Sequence, residues 1–167
     1  MSSPPASHIP IPTTFLLSSE TLNDTRCLGA DLARVLQPGD LVCISGELGA
    51  GKSELCRAII RATLGSAELE VPSPSYTLVN VYDFPDGQIW HADLYRIGDE
   101  SELDEIGLED AIDAAIVLVE WPERWPDLPG RRLDIQILTQ QNGSREIRFE
   151  PIGPNWDRIT DRLKAAA

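Results

Sequence analysis

The sequence predicts a three-layer α/β domain whose mixed sheet has central parallel strands and antiparallel hairpins. Three observations predict this fold class. The apolar run "LVCIS" at 41–45 has the composition of a strand buried on both faces, and a glycine-rich loop joins it to a helical pattern at 52–65. Two later pairs of alternating segments have the spacing of hairpins. In such a domain the functional site lies at the carboxyl ends of the parallel strands.

The remaining elements follow from local patterns in chain order. Apolar residues recur at helical spacing after Ser19, a possible cap, until "QPGD" stops the helix. The helix after the glycine loop turns Leu55, Ile59, Ala62 and Thr63 inward and ends at Gly65. The other expected elements are a strand at 13–19, a helix at 20–36, hairpin strands at 75–84 and 88–97, one or two surface helices within 98–113, a buried strand at 115–121, hairpin strands at 131–139 and 144–151, and a helix at 155–166.

Composition limits the organisation of the chain. Residues 1–12 are rich in proline and serine and are expected to be a flexible leader, whereas 13–167 are expected to form a single domain. The chain has 167 residues, 42% of them hydrophobic, which is enough for a sizeable core. No signal peptide or membrane span is expected, and the cysteines have no metal-like spacing, so we expect a cytoplasmic protein with reduced thiols.

The charge of the chain excludes one class of function. The formal net charge is -13 and the pI is near 4.4. A polyanion such as RNA or DNA is repelled by a surface of this sign. We therefore expect no direct, unaided binding of nucleic acid, whereas a basic protein partner remains possible.

The glycine-rich loop carries the strongest chemical signal. It satisfies G-x-x-x-x-G-K-[ST] between a buried strand and a helix, as a phosphate-binding loop requires. Glycines bring successive N–H groups close to phosphate oxygens, and the helix start adds its positive dipole end. Lys52 would reach the β- and γ-phosphates, and the Ser53 hydroxyl would bind Mg²⁺. The nucleotide-binding residues expected here are Gly46, Gly49, Ala50, Gly51, Lys52 and Ser53.

Carboxylates close two of the predicted strands. Glu120 ends "IVLVE" and Asp93 ends "IWHAD". A site that hydrolyses or transfers a γ-phosphoryl group needs a carboxylate that holds the metal or its waters, usually at the end of a buried strand. We therefore expect Asp93 and Glu120 to be catalytic acids and Glu120 also to be a metal ligand. The alternative for Glu120 is an ion pair with an arginine at the strand end.

Other candidates each have a structural alternative. The serine hydroxyls beside the prolines of "VPSPSYT" could sense the γ-phosphate as GTPase switch loops do, and Ser75 is the one expected at the nucleotide. The alternative is that these serines only stabilise a turn. Trp121 would stack on a base or a partner, although a tryptophan before proline often serves packing. Arginines could stabilise phosphate charge, but we interpret Arg96, Arg145 and Arg148 as paired with acids at the surface. We interpret His91 and Cys43 as structural residues.

Several separated motifs together resemble one family. "GELGAGKS", "VPSPSYTLVNVY", "HADLYRI", "ELDEIGLED" and "IVLVEWPER" occur in the order, and at roughly the separations, found in TsaE proteins. The chain resembles these small ATPases, which support bacterial synthesis of threonylcarbamoyladenosine in tRNA. The likeness runs from about 24 to 149. The glycine loop alone would not identify the family, whereas "SPSY", "DLYR" and "VEWPE" together are specific.

The resemblance implies a P-loop NTPase-like fold and an ATPase that uses ATP and Mg²⁺. It implies action on a complex of TsaB and TsaD, in which TsaD transfers the threonylcarbamoyl group, so that tRNA is met only indirectly. It implies that Lys52 and Ser53 bind the phosphates and Mg²⁺, that Glu120 is a metal-site acid and that Asp93 is the acid of "DLYR". It also implies that the nucleotide has two further neighbours, Trp121 and the segment 143–145 with Arg145.

This chain departs from the family pattern at four positions. It has Ser53 and Ser75 where threonine is commoner, Glu47 where aspartate is, and Ala92 in place of an aromatic residue. Serine ligates Mg²⁺ as threonine does, so these departures bear on the tightness of nucleotide binding rather than on function.

Two other functions fit the glycine loop. A small-molecule kinase would need an acceptor site and an arginine-bearing lid, whereas the segment 98–113 is strongly acidic. A nucleotide-dependent binding module would act through its conformation and would tolerate Glu120→Gln. The sequence leaves open the division of roles between Asp93 and Glu120, the partner-binding face, the oligomeric state and the nucleotide affinity.

Overall fold

The computed structural model describes residues 14–166, so the expected leader at 1–12 lies outside the described residues. Within that range each predicted helix and strand is present, with some changed boundaries. The elements are β1 (Phe15–Ser19), α1 (Leu22–Ala33), β2 (Leu41–Gly46), α2 (Lys52–Thr63), β3 (Val79–Phe84), β4 (Gly87–Asp93), α3 (Glu100–Ile106), α4 (Leu108–Ile112), β5 (Ala115–Glu120), β6 (Arg132–Thr139), β7 (Arg145–Ile152) and α5 (Asp157–Ala166).

One mixed sheet forms the middle layer. Its 7 strands run in the order β1-β7-β6-β2-β5-β4-β3. The central pairs β2–β5, β2–β6 and β4–β5 are parallel. The pairs β3–β4, β6–β7 and β1–β7 are antiparallel. The predicted combination of parallel centre and antiparallel hairpins is confirmed, and it brings the carboxyl ends of β2, β4 and β5 to one edge.

Helices cover the two faces of the sheet. Val42 and Ile44 of β2 face the layer of α1, α2 and α5, whereas Leu41 and Cys43 face α3 and α4. This alternation explains why β2 is apolar throughout its first four residues. The predicted three layers are therefore confirmed, and Cys43 is a buried residue of the second core.

Close packing fixes the helix that follows the glycine loop. A Cβ at Gly29 of α1 would lie 2.4 Å from the Cβ of Ala58 in α2. The two helices therefore approach each other at a point where no larger residue fits. Leu55 and Ile59 are inward as predicted, but Ala62 is exposed, because the buried stripe of α2 also includes Cys56 and Ile60.

The start of α1 differs from the prediction. The cap is Thr21 rather than Ser19, since the Thr21 hydroxyl accepts from the N–H of Asp24 and the Asp24 carboxylate accepts from the N–H of Thr21. This reciprocal capping box fixes the helix start at Leu22. Ser19 is instead the last residue of β1, and its hydroxyl hydrogen-bonds that of Thr25 at 2.9 Å.

Two predicted strands are shorter than expected. Residues 75–78 belong to a turn, in which the N–H of Leu78 donates to the carbonyl of Pro74 at 2.8 Å, and β3 begins only at Val79. Strand β4 ends at Asp93 instead of 97. Across residues 14–166, the helices are all too short or too polar to span a membrane.

Candidate functional site

The glycine loop leaves the end of β2 in a conformation that requires glycine at three positions. Gly46, Gly49 and Gly51 have φ of 149°, 80° and 112°. At Gly46 a Cβ would also lie 2.6 Å from the carbonyl oxygen of Ile137 in β6, whereas a Cβ at Gly49 or Gly51 would meet nothing within 4 Å. Gly46 thus packs the loop against the sheet, and the other two keep the outer backbone open to a ligand.

The Lys52 ammonium lies inside this loop. Its Nζ donates to the carbonyl oxygens of Gly46 at 2.8 Å and of Glu47 at 2.7 Å, and it lies 4.1 Å from the centre of the Trp121 ring. Only 5% of the residue is exposed. Burial lowers the pKa of Lys52, and the charge of Glu120 opposes that shift. The Lys52 ammonium is therefore a desolvated cation, and these two hydrogen bonds go to carbonyl groups of the loop and not to a carboxylate.

A chain of hydrogen bonds joins α2, β5 and β4 behind the loop. The Ser53 hydroxyl donates to Oε2 of Glu120 at 2.8 Å, and Oε1 of Glu120 lies 2.8 Å from Nε2 of His91. Glu120 and His91 are 1% and 0% exposed. A carboxylate so deeply buried needs partners for both oxygens, and these two contacts provide them.

Asp93 lies beside Glu120 in the parallel register of β4 and β5. Its Oδ2 accepts from the Ser75 hydroxyl at 3.2 Å, and its Oδ1 accepts from the N–H of Tyr95 at 2.9 Å. Ser73 and Ser75 share a hydrogen bond of 2.7 Å. The structure thus links both serines of "SPSY" to Asp93, Ser75 directly and Ser73 through Ser75. Asp93 itself lies next to Glu120.

Aromatic residues border the loop. Trp121 has φ 58° and ψ 52°, and its ring lies against that of Tyr95 with centroids 4.8 Å apart. Left-handed backbone is uncommon for a residue of this size and occurs where the surroundings impose it. The turn directs the Trp121 ring to the Lys52 ammonium, so the aromatic face stabilises the cation from above.

The candidate arginines differ in position. Nε of Arg145 donates to the carbonyl of Ala50 in the loop at 3.3 Å. Arg145 also lines a cavity of about 120 Å³ together with Thr21, Gly51 and Glu54. In contrast, Arg96 packs over the exposed Tyr76 ring and Arg148 pairs with Glu146 on β7. The structure therefore brings only Arg145 of the three to the loop.

His91 is not among the site residues expected from the sequence, yet it lies within this cluster. We interpreted it as structural, yet it contacts Glu120 directly. The available signal was strand alternation, because His91 and Asp93 are two residues apart on β4 and share a face.

Cys56 is also near this cluster: its Sγ and ligand atoms of His91 and Glu120 lie within 4.8 Å of one another. Burial raises the pKa of Cys56 well above its usual value, so the thiol keeps its proton.

The donor set at the strand ends suits Mg²⁺. The Ser53 hydroxyl and the carboxylates of Glu120 and Asp93 are hard oxygen ligands, which Mg²⁺ prefers. Ser53 and Glu120 already face each other across a hydrogen bond. The residues therefore fit a magnesium ion beside the glycine loop.

Comparisons with known proteins agree with one another. A model of the family described as "Threonylcarbamoyl adenosine biosynthesis protein TsaE" matches residues 19–147. The chain is similar to proteins named "tRNA threonylcarbamoyladenosine biosynthesis protein TsaE" from three organisms. Identity is 38% with that of Rickettsia typhi (62% of this chain, 73% of the relative), 35% with that of Aquifex aeolicus (78% and 91%) and 31% with that of Bacillus subtilis (84% and 87%).

A solved structure supports the fold. The crystal structure of Bacillus subtilis YdiB superposes with a TM-score of 0.77, at 22% identity, over 95% of this chain and 99% of that one. At this identity the likeness concerns the fold alone, and it agrees with the P-loop NTPase-like domain expected from the sequence.

Proposed function

The chain belongs to the TsaE family, and from this premise we propose that it is a Mg²⁺-dependent ATPase in the synthesis of threonylcarbamoyladenosine in tRNA. We further propose that it acts on a complex of TsaB and TsaD and meets tRNA only through that complex. The observation that carries the proposal is the Ser53–Glu120 hydrogen bond beside the buried Lys52. It joins a phosphate loop to a strand-end carboxylate, which is the pairing that phosphoryl transfer requires.

Nucleotide binding would use the loop backbone and Lys52. The Lys52 ammonium is desolvated and, among residues 14–166, donates hydrogen bonds only to neutral carbonyl oxygens, so phosphate oxygens would be stronger acceptors for it. The N–H groups of Gly49, Gly51 and the first turn of α2 would bind the same phosphates. Arg145 and Trp121, which already contact the loop or its lysine, would border the nucleotide.

The two acids would then have separate roles. Ser53 and Glu120 would hold Mg²⁺, which when bound neutralises charge on the phosphates. Asp93 would accept a hydrogen bond from the attacking water and orient it, with Ser75 holding the other side of the carboxylate. Water oxygen then bonds to the γ-phosphorus, the bond from that phosphorus to the bridging oxygen breaks, and ADP, phosphate and a proton are released.

Two surface properties support a protein partner. Leu48 at the tip of the loop is 79% exposed and Tyr76 is 83% exposed, so both side chains are accessible to a partner beside the proposed nucleotide site. The net charge of -13 disfavours direct contact with tRNA. Both properties agree with a protein that acts on an assembly instead of on the nucleic acid.

A reconstituted modification reaction tests the proposal. The chain would be added to tRNA, a donor of the threonylcarbamoyl group, TsaB and TsaD, and modified adenosine would be counted per TsaD. We propose that ATP hydrolysis resets the TsaB–TsaD complex between rounds of modification. We therefore expect many modified tRNAs per TsaD with the wild type, ATP and Mg²⁺, and about one or fewer with Lys52→Met. Equal yields with and without the chain would contradict the proposed role.

A further inference from the structure

Glu120 has a buried hydrogen-bond partner in His91. His91 is fully buried, and its Nε2 lies 2.8 Å from Oε1 of Glu120. The other carboxylate oxygen, Oε2, accepts from Ser53. Glu120 therefore has one oxygen toward the predicted metal and one toward the histidine. A rotation of the carboxylate would break both contacts at once, so His91 restrains the direction in which Oε2 points.

The surroundings of the ring decide its tautomer. Carboxylate oxygens accept hydrogen bonds, so Nε2 is the donor in its contact with Glu120. Nδ1 of His91 is buried and has no hydrogen-bond partner among residues 14–166. A proton on Nδ1 would leave a buried donor unsatisfied, which costs more than an unsatisfied lone pair. The ring is therefore held with its proton on Nε2.

We propose that His91 is a positioning residue that holds Glu120 in the orientation required for Mg²⁺, an inference that rests on the proposed function. Groups that hydrogen-bond a metal ligand from behind fix its orientation, and their loss typically weakens metal binding 10- to 100-fold. A role in packing alone would need only an apolar group of similar size. The position instead holds a polar ring at 0% exposure whose single side-chain hydrogen bond within the described part of the chain goes to Glu120.

Two substitutions separate positioning from packing. His91→Gln keeps an N–H donor directed at Glu120, whereas His91→Leu fills the space without a donor. ATP affinity is measured first in EDTA and then during a Mg²⁺ titration, so that the readout is binding and not turnover. We expect all three proteins to bind ATP equally in EDTA, because the loop and Lys52 are unchanged. The Mg²⁺ concentration at half effect should rise about 10- to 100-fold in His91→Leu and about threefold or less in His91→Gln.

The results separate this inference from the proposed function. If the wild type binds no ATP, or if Mg²⁺ does not tighten binding, the proposed function fails and the role of His91 fails with it. If the wild type responds to Mg²⁺ and His91→Leu needs no more of it, only the inference is overturned. Impairment of a folded His91→Gln to the level of His91→Leu would also overturn it, because the donor would then not matter.

If His91→Leu fails to fold, the proposal can still be tested by NMR on the His91 ring of the wild type. The chain has 2 histidines, so long-range ¹⁵N–¹H correlation spectra contain one other imidazole, that of His8. Comparison with His8→Gln assigns the signals of His91. We expect a protonated Nε2 and a bare Nδ1 in the wild type. A proton on Nδ1 with a bare Nε2 would overturn the proposal, since Nε2 would not donate to Glu120.

Discussion

Replacing Lys52 by methionine should strongly weaken nucleotide binding while leaving the fold stable. Methionine has nearly the same length and flexibility, so it fills the space beneath Trp121 without a charge. Charge-assisted hydrogen bonds to phosphate contribute about 1.5–3 kcal/mol each, so the loss of one or two weakens ATP binding by about 3 kcal/mol. At 1.4 kcal/mol per factor of ten, this corresponds to about 100-fold in Kd.

The stability of the nucleotide-free protein, in contrast, should change little in Lys52→Met. The substitution removes hydrogen bonds of 2.8 and 2.7 Å to the carbonyls of Gly46 and Glu47. It also removes the cost of burying the ammonium group of a residue that is 5% exposed, the cost that lowers the pKa of Lys52. These opposing contributions are of similar size, so the free energy of unfolding should change by about 1 kcal/mol or less.

The sign of the pH dependence follows from the lowered pKa of Lys52. Below pH 10.5, the ordinary pKa of an unfolded lysine, and above the lowered folded value, the unfolded chain binds more protons than the folded one. Stability contributed by this site therefore rises with pH in that window. Buried cysteines act in the opposite direction, since burial raises their pKa, but they are shared by both proteins. The wild type should gain stability relative to Lys52→Met as the pH rises toward 10.5.

Two assays check this prediction. Urea unfolding at neutral and alkaline pH gives the stability difference, and titration calorimetry with ATP gives the affinity. Lys52→Arg is a matched control that keeps the charge but needs more space. An ATP Kd for Lys52→Met within about threefold of the wild type would refute the reasoning, since Lys52 would then not contact the nucleotide.

Three further substitutions test other parts of the account. Glu120→Gln should bind ATP without Mg²⁺ as the wild type does but lower ATP turnover on the order of 100-fold, because it removes the anionic charge of the proposed metal ligand. Full activity in the presence of TsaB and TsaD would favour a non-hydrolysing module. Gly46→Ala places a Cβ 2.6 Å from the carbonyl oxygen of Ile137 and should lower the free energy of unfolding by about 3 kcal/mol. Gly49→Ala, with no atom within 4 Å, is the control and should cost about 1 kcal/mol from backbone strain alone; equal losses would contradict the steric argument. Asp40→Ala removes a carboxylate, 1% exposed, that binds Arg131 and Arg158, and should cost about 3–5 kcal/mol with no change in ATP affinity. A loss below about 1 kcal/mol in urea unfolding would contradict the role of Asp40.

The parts of the fold that depend on local pattern were predictable. The buried strand β2, the glycine loop and helix α2 follow from short-range hydrophobic spacing and glycine placement. Both hairpins follow from alternation around a turn. The motifs at the strand ends predicted the TsaE family, and the family match confirms it.

The parts that depend on strand order were not predictable. His91 meets Glu120 only because β4 lies beside β5 in the sheet, and no local signal orders strands that are 29 residues apart at this contact. Similarly, Arg145 reaches the carbonyl of Ala50, 95 residues away, because of the route by which β7 returns past β6. The cap of α1 was misplaced for a local reason, since Ser19 and Thr21 are both good caps and only Thr21 has an acid three residues later.

ATP hydrolysis with and without TsaB and TsaD tests the central proposal most directly. Phosphate release is measured for the wild type in Mg²⁺, with Lys52→Met as the blank for contaminating ATPases. We expect slow turnover by the chain alone and strong stimulation by the two proteins together. The proposal would be contradicted if ATP consumption were the same with and without these proteins, or if it depended on a small-molecule acceptor, as a kinase would require.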